Sequence, residues 1–415
     1  MNILFVHQNF PGQFKHLAPA LARLGHRVVA MHINASPPMP GVALVRYGVQ
    51  GRPGQGTQRW MADLEVKTLR GEAAWQAAMQ MREQGFVPDV IVAHPGWGES
   101  LFLHQVWPQA RMGIYCEFFY KAEGADVGFD PEFGLPTADN ACRLQMKNAN
   151  YELHFPRVQA GISPTHWQAS LFPKPFASRI AVIHDGIRTD LIRPDPKATL
   201  RLETAQGPLA LSAQDEVISF VNRNLEPYRG YHQFMRALPA ILQARPNAQV
   251  VVIGGNDVSY GAAAPAAADG QAQTWRDIYL NEVKDQLDLQ RVHFVGKVPY
   301  KDFLHVLQVA TVHVYLTYPF VLSWSLLEAM SAGCAIVASD TAPVREAIRH
   351  GETGQLVDFF DPAALAQQVI ALCDNPTERA RLGAQARAFA VENYDLETRC
   401  LPRQIEWVQA LSQPT

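Results

Sequence analysis

The sequence predicts an α/β protein of two domains, each built on a doubly wound parallel sheet. Two observations lead to this prediction. Along the 415 residues, apolar runs of strand length alternate with segments of helix length, which is typical of parallel sheets with helical crossovers. A charged, Pro-rich stretch at 193–197 separates two such series. Because Pro interrupts regular structure, we expect a hinge at about 190–215 and domains at 1–198 and 199–397.

The first series begins with the apolar run 3–7, which predicts a strand buried on both faces. Apolar residues at helical spacing then predict a helix that ends at Gly25, before the next strand at 27–31. This β-α-β unit predicts a right-handed crossover in a parallel sheet. Further strands of the first domain are predicted at 89–93, 111–116, 159–163 and 179–183.

The second series supplies the other sheet and a final helix. Its strands are predicted at 217–221, 249–253, 292–295, 312–316 and 335–338. The last segment, 401–411, has the spacing of an amphipathic helix, and we expect 398–415 to pack back on the first domain. Ligands of doubly wound sheets bind beyond the carboxyl ends of the strands. With two such domains facing each other, we expect the site in the cleft between them.

Charge and cysteine content exclude several classes of protein. Lys plus Arg number 36 against 39 Asp plus Glu, a formal net charge of −3, whereas a protein that wraps nucleic acid has a strongly basic face. We therefore expect no nucleic-acid partner. The five cysteines are scattered without a CxxC pair, which indicates buried thiols in a reducing compartment rather than a disulfide or zinc framework.

The N-terminus lacks the basic and long apolar regions of a signal peptide. No apolar run approaches the roughly 18–20 residues that a membrane-spanning helix needs. We expect a cytoplasmic protein, and peripheral contact with the inner face of a membrane stays open.

Several motifs of well-known catalytic sites are missing. The sequence has no GxxxxGK[ST] phosphate loop, no HExxH, no GxSxG and no Asp-x-Asp pair. These absences disfavour a P-loop ATPase or kinase, a zinc protease, a serine hydrolase and a metal-dependent nucleotide-sugar site. We therefore expect no metal and no cofactor apart from the substrate itself.

The strongest pattern is the segment 317–333, in which a strand leads through a Pro-containing loop into a helix that begins near Ser323. The amide end of a helix attracts phosphate. Glu328 lies within about the first two turns of that helix, where a carboxylate can accept hydrogen bonds from ribose hydroxyls. From the spacing alone, a Glu on the helix surface is an equal alternative.

The same segment resembles a region of the retaining, nucleotide-sugar-dependent glycosyltransferases of family 4, which have the GT-B fold. That region contains a Glu, seven residues and a second Glu. The resemblance implies that Glu328, at the second position, holds the nucleotide ribose, and that Val321, Leu322 and Ser323 lie against the donor. Phe320 stands where the family has its first Glu, a contact of the donor-sugar hydroxyls. This departure leaves open both an unusual donor and a protein without activity.

A second match follows the first strand of the C-terminal half, in the segment 222–230. It resembles the family's loop with an Arg and, shortly before a Gly, a Lys; Arg223 and Arg229 take these two positions. Two cations at the carboxyl edge of a sheet can neutralise a diphosphate, and a guanidinium group donates in a bidentate fork. Solvated surface arginines are the alternative interpretation.

The resemblance implies three further donor contacts, all through the backbone. Gly254 ends a strand where the chain approaches the nucleotide, Val298 lies near the base, and Gly12 faces the donor phosphate after the first strand.

The N-terminal half is expected to bind the acceptor. His94 follows a strand end, so we expect it in the site, with Trp97 and Glu99 as acceptor contacts. A structural histidine is the alternative for His94. Glu117 lies near the position where the family often has a His beside the donor sugar, and it either replaces that His or is a buried partner.

Together these residues imply a metal-independent, retaining glycosyltransferase with His94, Glu117, Arg223 and Arg229 as catalytic candidates. The donor is a UDP- or GDP-linked sugar, and the acceptor is a glycan, a lipid-linked sugar or a small molecule. A nucleotide-sugar 2-epimerase and a non-enzymatic nucleotide-sugar-binding protein are alternatives with the same domain plan. A phosphorylase is disfavoured because no Lys is plainly placed for pyridoxal phosphate.

Overall fold

The computed structural model describes residues 1–54, 56–204, 206–267 and 270–413. The chain divides into two compact units, the first comprising Met1–Gly186 and Leu396–Thr415 and the second Ile187–Asp395. The predicted boundary between 198 and 199 therefore lies inside the second unit.

In the described residues, the strands of the first unit are β1 (Asn2–Val6), β2 (Arg27–His32), β3 (Val42–Arg46), β4 (Val90–Ala93), β5 (Arg111–Tyr115), β6 (Ala160–Ser163) and β7 (Ile180–Val182). The helices that precede the second unit are α1 (Leu17–Arg23), α2 (Ala62–Glu83), α3 (Leu103–Val106), α4 (Ala138–His154), α5 (His166–Ser170) and α6 (Lys174–Ala177).

The first unit is a parallel sheet in the order β3-β2-β1-β4-β5-β6-β7. Strand β1 lies at its centre and pairs in parallel with both β2 and β4, with Val6 opposite Met31 and Ala93. Its residues from Ile3 to Val6 have no exposed surface, because helices cover both faces of a doubly wound sheet. The continuous apolar run in the sequence has this origin.

In the described residues, the strands of the second unit are β8 (Thr199–Thr204), β9 (Gly207–Ser212), β10 (Val217–Asn224), β11 (Gln249–Gly255), β12 (Val292–Gly296), β13 (Val312–Tyr315), β14 (Ile336–Ser339) and β15 (Gln355–Val357). The helices are α7 (Tyr231–Ala244), α8 (Trp275–Val283), α9 (Tyr300–Val309), α10 (Trp324–Ser331), α11 (Ala342–Arg345), α12 (Pro362–Asp374) and α13 (Pro376–Tyr394).

The second unit has a parallel sheet in the order β12-β11-β10-β13-β14-β15. An antiparallel hairpin, β8–β9, precedes this sheet. The hairpin occupies much of the segment predicted as a hinge, and its Leu200, Leu202 and Leu211 belong to the core of the unit. Because the adjacent Pro-rich stretch indicated a hinge, the alternating leucines that follow it were not interpreted as two strands. The unit begins earlier than predicted because Ile187 and Ile192, which precede the Pro-rich stretch, already lie in the same core.

The last helix, α14 (Leu401–Leu411), returns to the first unit. Trp407, Val408 and Leu411 lie in the same core as β1 and β4. Gly113 of β5 leaves the space for them, because a Cβ there would lie 2.5 Å from atoms of both Trp407 and Leu411.

The prediction of two doubly wound α/β domains is confirmed. Every predicted strand is present with small differences at its ends, whereas β3, β8, β9 and β15 were not predicted. Strand β3 was not predicted because it lies at the sheet edge, where its residues are half-buried or exposed rather than buried on both faces. None of the helices in the described residues combines the length and apolar character needed to span a bilayer.

Candidate functional site

Both sheets reverse their strand order at one place, between β1 and β4 in the first unit and between β10 and β13 in the second. Loops that leave two neighbouring strands in opposite directions open a crevice at the carboxyl edge, and this is where doubly wound sheets bind ligands. Most of the residues singled out by the sequence lie in these loops.

In the first unit, β1 is followed by His7, which is buried. The Asn9 N–H donates to His7 Nδ1 at 2.9 Å, so the other ring nitrogen, Nε2, has the proton and donates to Gln13 Oε1 at 2.8 Å. Gly12 has a φ of +47°, and a Cβ there would lie 2.3 Å from His7 Nε2. A glycine is therefore required for the imidazole to occupy this position. Burial, and then the neighbouring His94, lower the pKa of His7 to about 3.

Gln13 connects this loop to a carboxylate that follows β5. Its Nε2 donates to Glu117 Oε1 at 2.9 Å. The second oxygen of Glu117 lies 3.4 Å from Nε2 of His94, whose Nδ1 accepts a hydrogen bond from the Gly96 N–H at 3.2 Å. The His94 side chain is 2% exposed, whereas the Glu117 side chain is 31% exposed. Glu117 is therefore a solvent-accessible member of this polar chain, in which both imidazoles are buried.

Aromatic rings surround His94. The ring centroid of Trp97 lies 4.4 Å from that of His94 and 4.9 Å from that of His7. Tyr115 stacks on the imidazole of His94 at 5.4 Å and donates its hydroxyl to the carboxylate of Asp185 at 2.9 and 3.0 Å. Burial, and then the charge of Asp185, raise the pKa of Tyr115 well above its usual value. The structure thus brings together His94, Trp97 and Glu117 beyond the carboxyl ends of β4 and β5.

Glu99 lies deeper than expected for an acceptor contact. It has no exposed surface, and within the described residues neither of its carboxyl oxygens has a hydrogen-bond partner. The preceding Gly98 lies directly against α2, since a Cβ there would be 2.3 Å from the Lys67 carbonyl oxygen. Burial raises the pKa of Glu99 to about 7, against the opposing effects of its own backbone amide, Arg70 and His94.

In the second unit, a 3₁₀ turn, Pro227–Arg229, leads from β10 to α7. Arg229 is only 5% exposed. Its Nη1 donates to Thr317 Oγ1 at 2.7 Å and to the Val321 carbonyl oxygen at 3.0 Å. The guanidinium therefore joins the loops that follow β10 and β13.

Arg223 has different surroundings. It is exposed near the end of β10, and within the described part of the chain its side chain has no hydrogen bond or ion pair. The two arginines that the resemblance assigns to one diphosphate thus differ, since Arg229 is anchored within the unit and Arg223 is at its surface.

Phe320 belongs to an aromatic cluster around Arg229. It is buried, with ring centroids of Tyr260 at 4.9 Å and Tyr228 at 5.7 Å. The guanidinium carbon of Arg229 lies 5.0 Å from the ring centroid of Tyr260 and 5.8 Å from that of Phe320, within the range of cation–π attraction. The buried carboxylate of Glu226 fixes the Tyr260 loop by accepting the Tyr260 N–H at 3.2 Å.

The helix predicted near Ser323 is α10, and Ser323 is its N-cap. The Ser323 hydroxyl accepts the Ser325 N–H at 3.3 Å, while its own N–H donates to the Tyr315 hydroxyl at 3.1 Å. Glu328, half-buried on α10, accepts a hydrogen bond from the Tyr300 hydroxyl at 2.6 Å. Of the intervening loop residues, Leu322 is buried and Val321 is half-buried.

Gly254 and Val298 lie at the ends of two neighbouring strands, at the same edge of the second sheet. Gly254 is the penultimate residue of β11, and the adjacent Gly255 carbonyl accepts the Leu225 N–H at 2.9 Å. Val298 comes after β12 and packs, half-buried, on the core of the unit. Both therefore lie near the carboxyl edge at which Arg229 and Thr317 meet.

Sequence reasoning missed several residues of these two clusters: His7, Gln13, Thr317, Glu226, Tyr260 and Tyr300. His7 and Thr317 could have been found, because His7 directly follows β1, Thr317 lies two residues after the end of β13, and both strands lie at the reversal of strand order. The other four reach their partners from loops and helices whose courses the sequence pattern does not predict.

Two family models match the chain. The one described as "Glycosyl transferase family 4 group" matches residues 24–192, and the one described as "Glycosyl transferases group 1" matches residues 203–389. Together they extend over both units.

The chain is similar to a D-inositol 3-phosphate glycosyltransferase from Corynebacterium efficiens, with 27% identity over 211 residues that cover 50% of this chain and 46% of the relative. The chain spans about half the length of the first curated relatives it matches. A glycogen synthase from Mycobacterium tuberculosis is 27% identical over 427 residues, which cover 96% of this chain and 92% of that protein.

Among solved structures, the Anabaena protein Alr3699/HepE in complex with UDP superposes with a TM-score of 0.67 at 15% identity, covering 99% of this chain and 100% of that one. A further structure of that protein contains UDP-glucose. At this level of identity the likeness shows a shared fold.

Proposed function

The chain belongs to the glycosyltransferases whose family models match its two units, and from this premise we propose that it moves a sugar from a nucleoside diphosphate sugar to a hydroxyl group of an acceptor. Its two parallel-sheet units are those of the GT-B fold. The observation that supports the proposal most strongly is the junction of Arg229 with Thr317 and Val321, which joins the loops at the strand reversal of the unit matched by the group 1 model.

The donor binds the second unit in this proposal. The first amides of α10, capped by Ser323, face the diphosphate, and Arg223 and Arg229 add positive charge. Glu328 accepts hydrogen bonds from the ribose, and the backbone at Gly254 and Val298 contacts the nucleotide. A UDP-linked hexose is the donor of first choice, because a protein of the same fold binds UDP and UDP-glucose.

The acceptor binds the first unit. Trp97 offers a ring to a sugar or polyol face, and Glu117 offers an accessible carboxylate beside His94. In this proposal the backbone N–H of Gly12 contacts the donor phosphate. One similar protein is named a D-inositol 3-phosphate glycosyltransferase and another a glycogen synthase. Inositol phosphate and glycogen both contain hydroxyl groups, which supports a hydroxyl acceptor for this chain.

We assign a retaining mechanism without a metal. The bond between the anomeric carbon and the diphosphate oxygen breaks, the acceptor oxygen bonds to the same face of that carbon, and its proton passes to the departing diphosphate. The transition state therefore accumulates negative charge on the leaving group. Preoriented donors, here guanidinium and helix amides, stabilise such charge without reorganising.

The test incubates the full chain with UDP-, GDP- and ADP-sugars, each with and without a pool of hydroxyl acceptors, and identifies products by mass spectrometry. Transfer to an acceptor supports the proposal. Epimerised donor without transfer indicates an epimerase, and calorimetric binding without any turnover indicates a nucleotide-sugar-binding protein; either result contradicts it. Turnover that persists in EDTA, and an NMR coupling constant showing the donor's anomeric configuration in the product, test the metal-independent and retaining steps.

A further inference from the structure

The polar chain at the carboxyl edge of the first sheet has a fixed direction of hydrogen bonds. His7 accepts from the Asn9 N–H at Nδ1, so only its Nε2 can donate to Gln13 Oε1. The buried imidazole is neutral because desolvation opposes its charged form. His7 therefore presents one donor to the Gln13 amide.

That donor determines how the Gln13 amide is oriented. With Oε1 accepting from His7 at 2.8 Å, Nε2 points to Glu117 and donates to its Oε1 at 2.9 Å. A flipped amide would place a donor against a donor at His7 and an acceptor against a carboxylate at Glu117. Both hydrogen bonds would be lost together.

Glu117 is also held through its backbone. The Gln168 amide donates to the Glu117 carbonyl oxygen at 2.6 Å, and the Ser163 hydroxyl donates to the preceding Cys116 carbonyl at 2.8 Å. The Glu117 side chain is 31% exposed, whereas the imidazoles of His7 and His94 are buried. The network thus fixes one accessible carboxylate at the strand reversal.

We propose that Gln13 is a positioning residue, oriented by His7, that holds the Glu117 carboxylate aligned for hydrogen bonding to a substrate hydroxyl. The inference rests on the proposed function of this site. A carboxylate aligned before the reaction loses no free energy in reorienting at the transition state. Removal of Gln13 should therefore slow turnover more than it weakens substrate binding.

The titratable groups that interact with Glu117 include His7 after β1, His94 after β4, Tyr115 on β5 and Tyr151 on α4. Burial first, and then neighbouring charges, raise the pKa of both phenols well above the usual value. Both tyrosines thus stay neutral at the pH of an assay. A carboxyl group introduced at position 13 would therefore titrate in addition to the groups already present.

The experiment compares Gln13→Met, Gln13→Glu and the control Gln8→Met. Methionine keeps the length of Gln13 and removes both hydrogen bonds, and Gln8 makes no side-chain hydrogen bond within the described residues. We expect Gln13→Met to lower kcat at least tenfold with KM values within threefold of the parent, while Gln8→Met matches the parent.

The Gln13→Glu variant tests whether Gln13 positions the Glu117 carboxylate or only supports the structure of the loop. A protonated carboxyl group at position 13 can donate to Glu117 as the amide does, whereas an ionised carboxylate there repels it. We expect kcat of this variant to rise as the pH falls, unlike that of the parent. An unchanged kcat in Gln13→Met, or a Gln13→Glu profile parallel to the parent's, would overturn the inference.

A measurement independent of turnover separates this inference from the proposed function. With ¹³C-labelled glutamate, and Glu117→Gln to assign the signal, the Glu117 carboxyl carbon should titrate at higher pH in Gln13→Met than in the parent, because its ionised form loses a donor. An equal titration midpoint contradicts the positioning role. If the parent transfers no sugar, the proposed function fails while this titration still decides the role of Gln13.

Discussion

Arg229 and Thr317, 88 positions apart in the sequence, join the two loops at the strand reversal of the second sheet through a 2.7 Å hydrogen bond from Nη1 to Oγ1. The same nitrogen donates to the Val321 carbonyl, two residues before the N-cap of α10. Arg229 therefore supports the loop that leads to the amide end of this helix, in addition to any charge it offers a phosphate.

Because of this dual position, we expect Arg229→Ala to reduce both stability and nucleotide binding. The truncation leaves the buried Thr317 hydroxyl and Val321 carbonyl unpaired and creates a cavity among the aromatic rings, which costs about 2–4 kcal/mol of the free energy of unfolding. Urea unfolding and calorimetry with UDP measure the two effects. A stability within about 0.5 kcal/mol of the parent would show that these hydrogen bonds contribute little.

Arg223→Ala should show the effect of the Arg223 charge on nucleotide binding without a change in the stability of the fold. The side chain is exposed and unpaired within the described residues, so we expect unfolding within about 0.5 kcal/mol of the parent. If the guanidinium contacts the diphosphate, UDP affinity should fall about tenfold, or about 1.4 kcal/mol, and the loss should diminish in high salt. Unchanged affinity in calorimetry at low salt would remove Arg223 from the donor site.

Glu328→Gln tests the ribose contact. The amide keeps the size of the side chain but offers only one oxygen to the Tyr300 hydroxyl and a nucleotide. We expect UDP affinity to fall about tenfold, because hydrogen bonds to a charged acceptor contribute about 1.5–3 kcal/mol. The matched control is Glu392→Gln, an exposed carboxylate on α13. If the two variants bind UDP equally well, Glu328 has no part in nucleotide recognition.

The sequence predicted the elements whose burial leaves a pattern. Strands such as β1 and β10 are enclosed on both faces, so their apolar runs are continuous. Helix α14 has the bounds predicted from its apolar face, and the Ser323 cap lies where the helix was expected to begin. Local sequence patterns were therefore sufficient to predict strands and helices that pack against a core.

Contacts between distant segments could not be predicted in the same way. Gln13 and Glu117 are 104 positions apart, and their meeting depends on the strand order, which brings the loops of β1 and β5 to one edge. Glu226, which follows β10, accepts the N–H of Tyr260, which follows the neighbouring strand β11. A polar residue in a loop has no periodicity, so only the fold reveals its partner.

The buried carboxyl group of Glu99 predicts a pH-dependent stability. The folded state holds its proton up to about pH 7, whereas the ordinary value for a Glu is 4.5. Between these values the folded state binds more protons than the unfolded chain, so this group lowers the free energy of unfolding as the pH rises.

We expect Glu99→Gln, which cannot ionise, to be more stable than the parent by about 1–3 kcal/mol at pH 8 and equally stable near pH 4. Urea unfolding at both pH values measures the difference, with the exposed Glu72→Gln on α2 as control. A stability difference that does not change with pH would contradict a protonated Glu99.

Gly12 and Gly25 form a matched pair for testing the loop after β1. Both have positive φ angles, +47° and +86°, so alanine at either position costs about 1–2 kcal/mol of backbone strain. Only Gly12 has a close neighbour: its Cβ would lie 2.3 Å from His7 Nε2, whereas nothing lies within 4 Å of a Cβ at Gly25.

Gly12→Ala must therefore displace the His7 imidazole and break its hydrogen bond to Gln13, in addition to the strain. We expect it to lose more stability than Gly25→Ala and to lower the rate of sugar transfer at least tenfold, while Gly25→Ala retains the parent's rate. Thermal unfolding and initial rates at saturating donor measure both effects. If the two variants lose stability equally and both keep the parent's rate, the imidazole can leave its place without consequence, and the chain from His7 to Glu117 does not contribute to turnover.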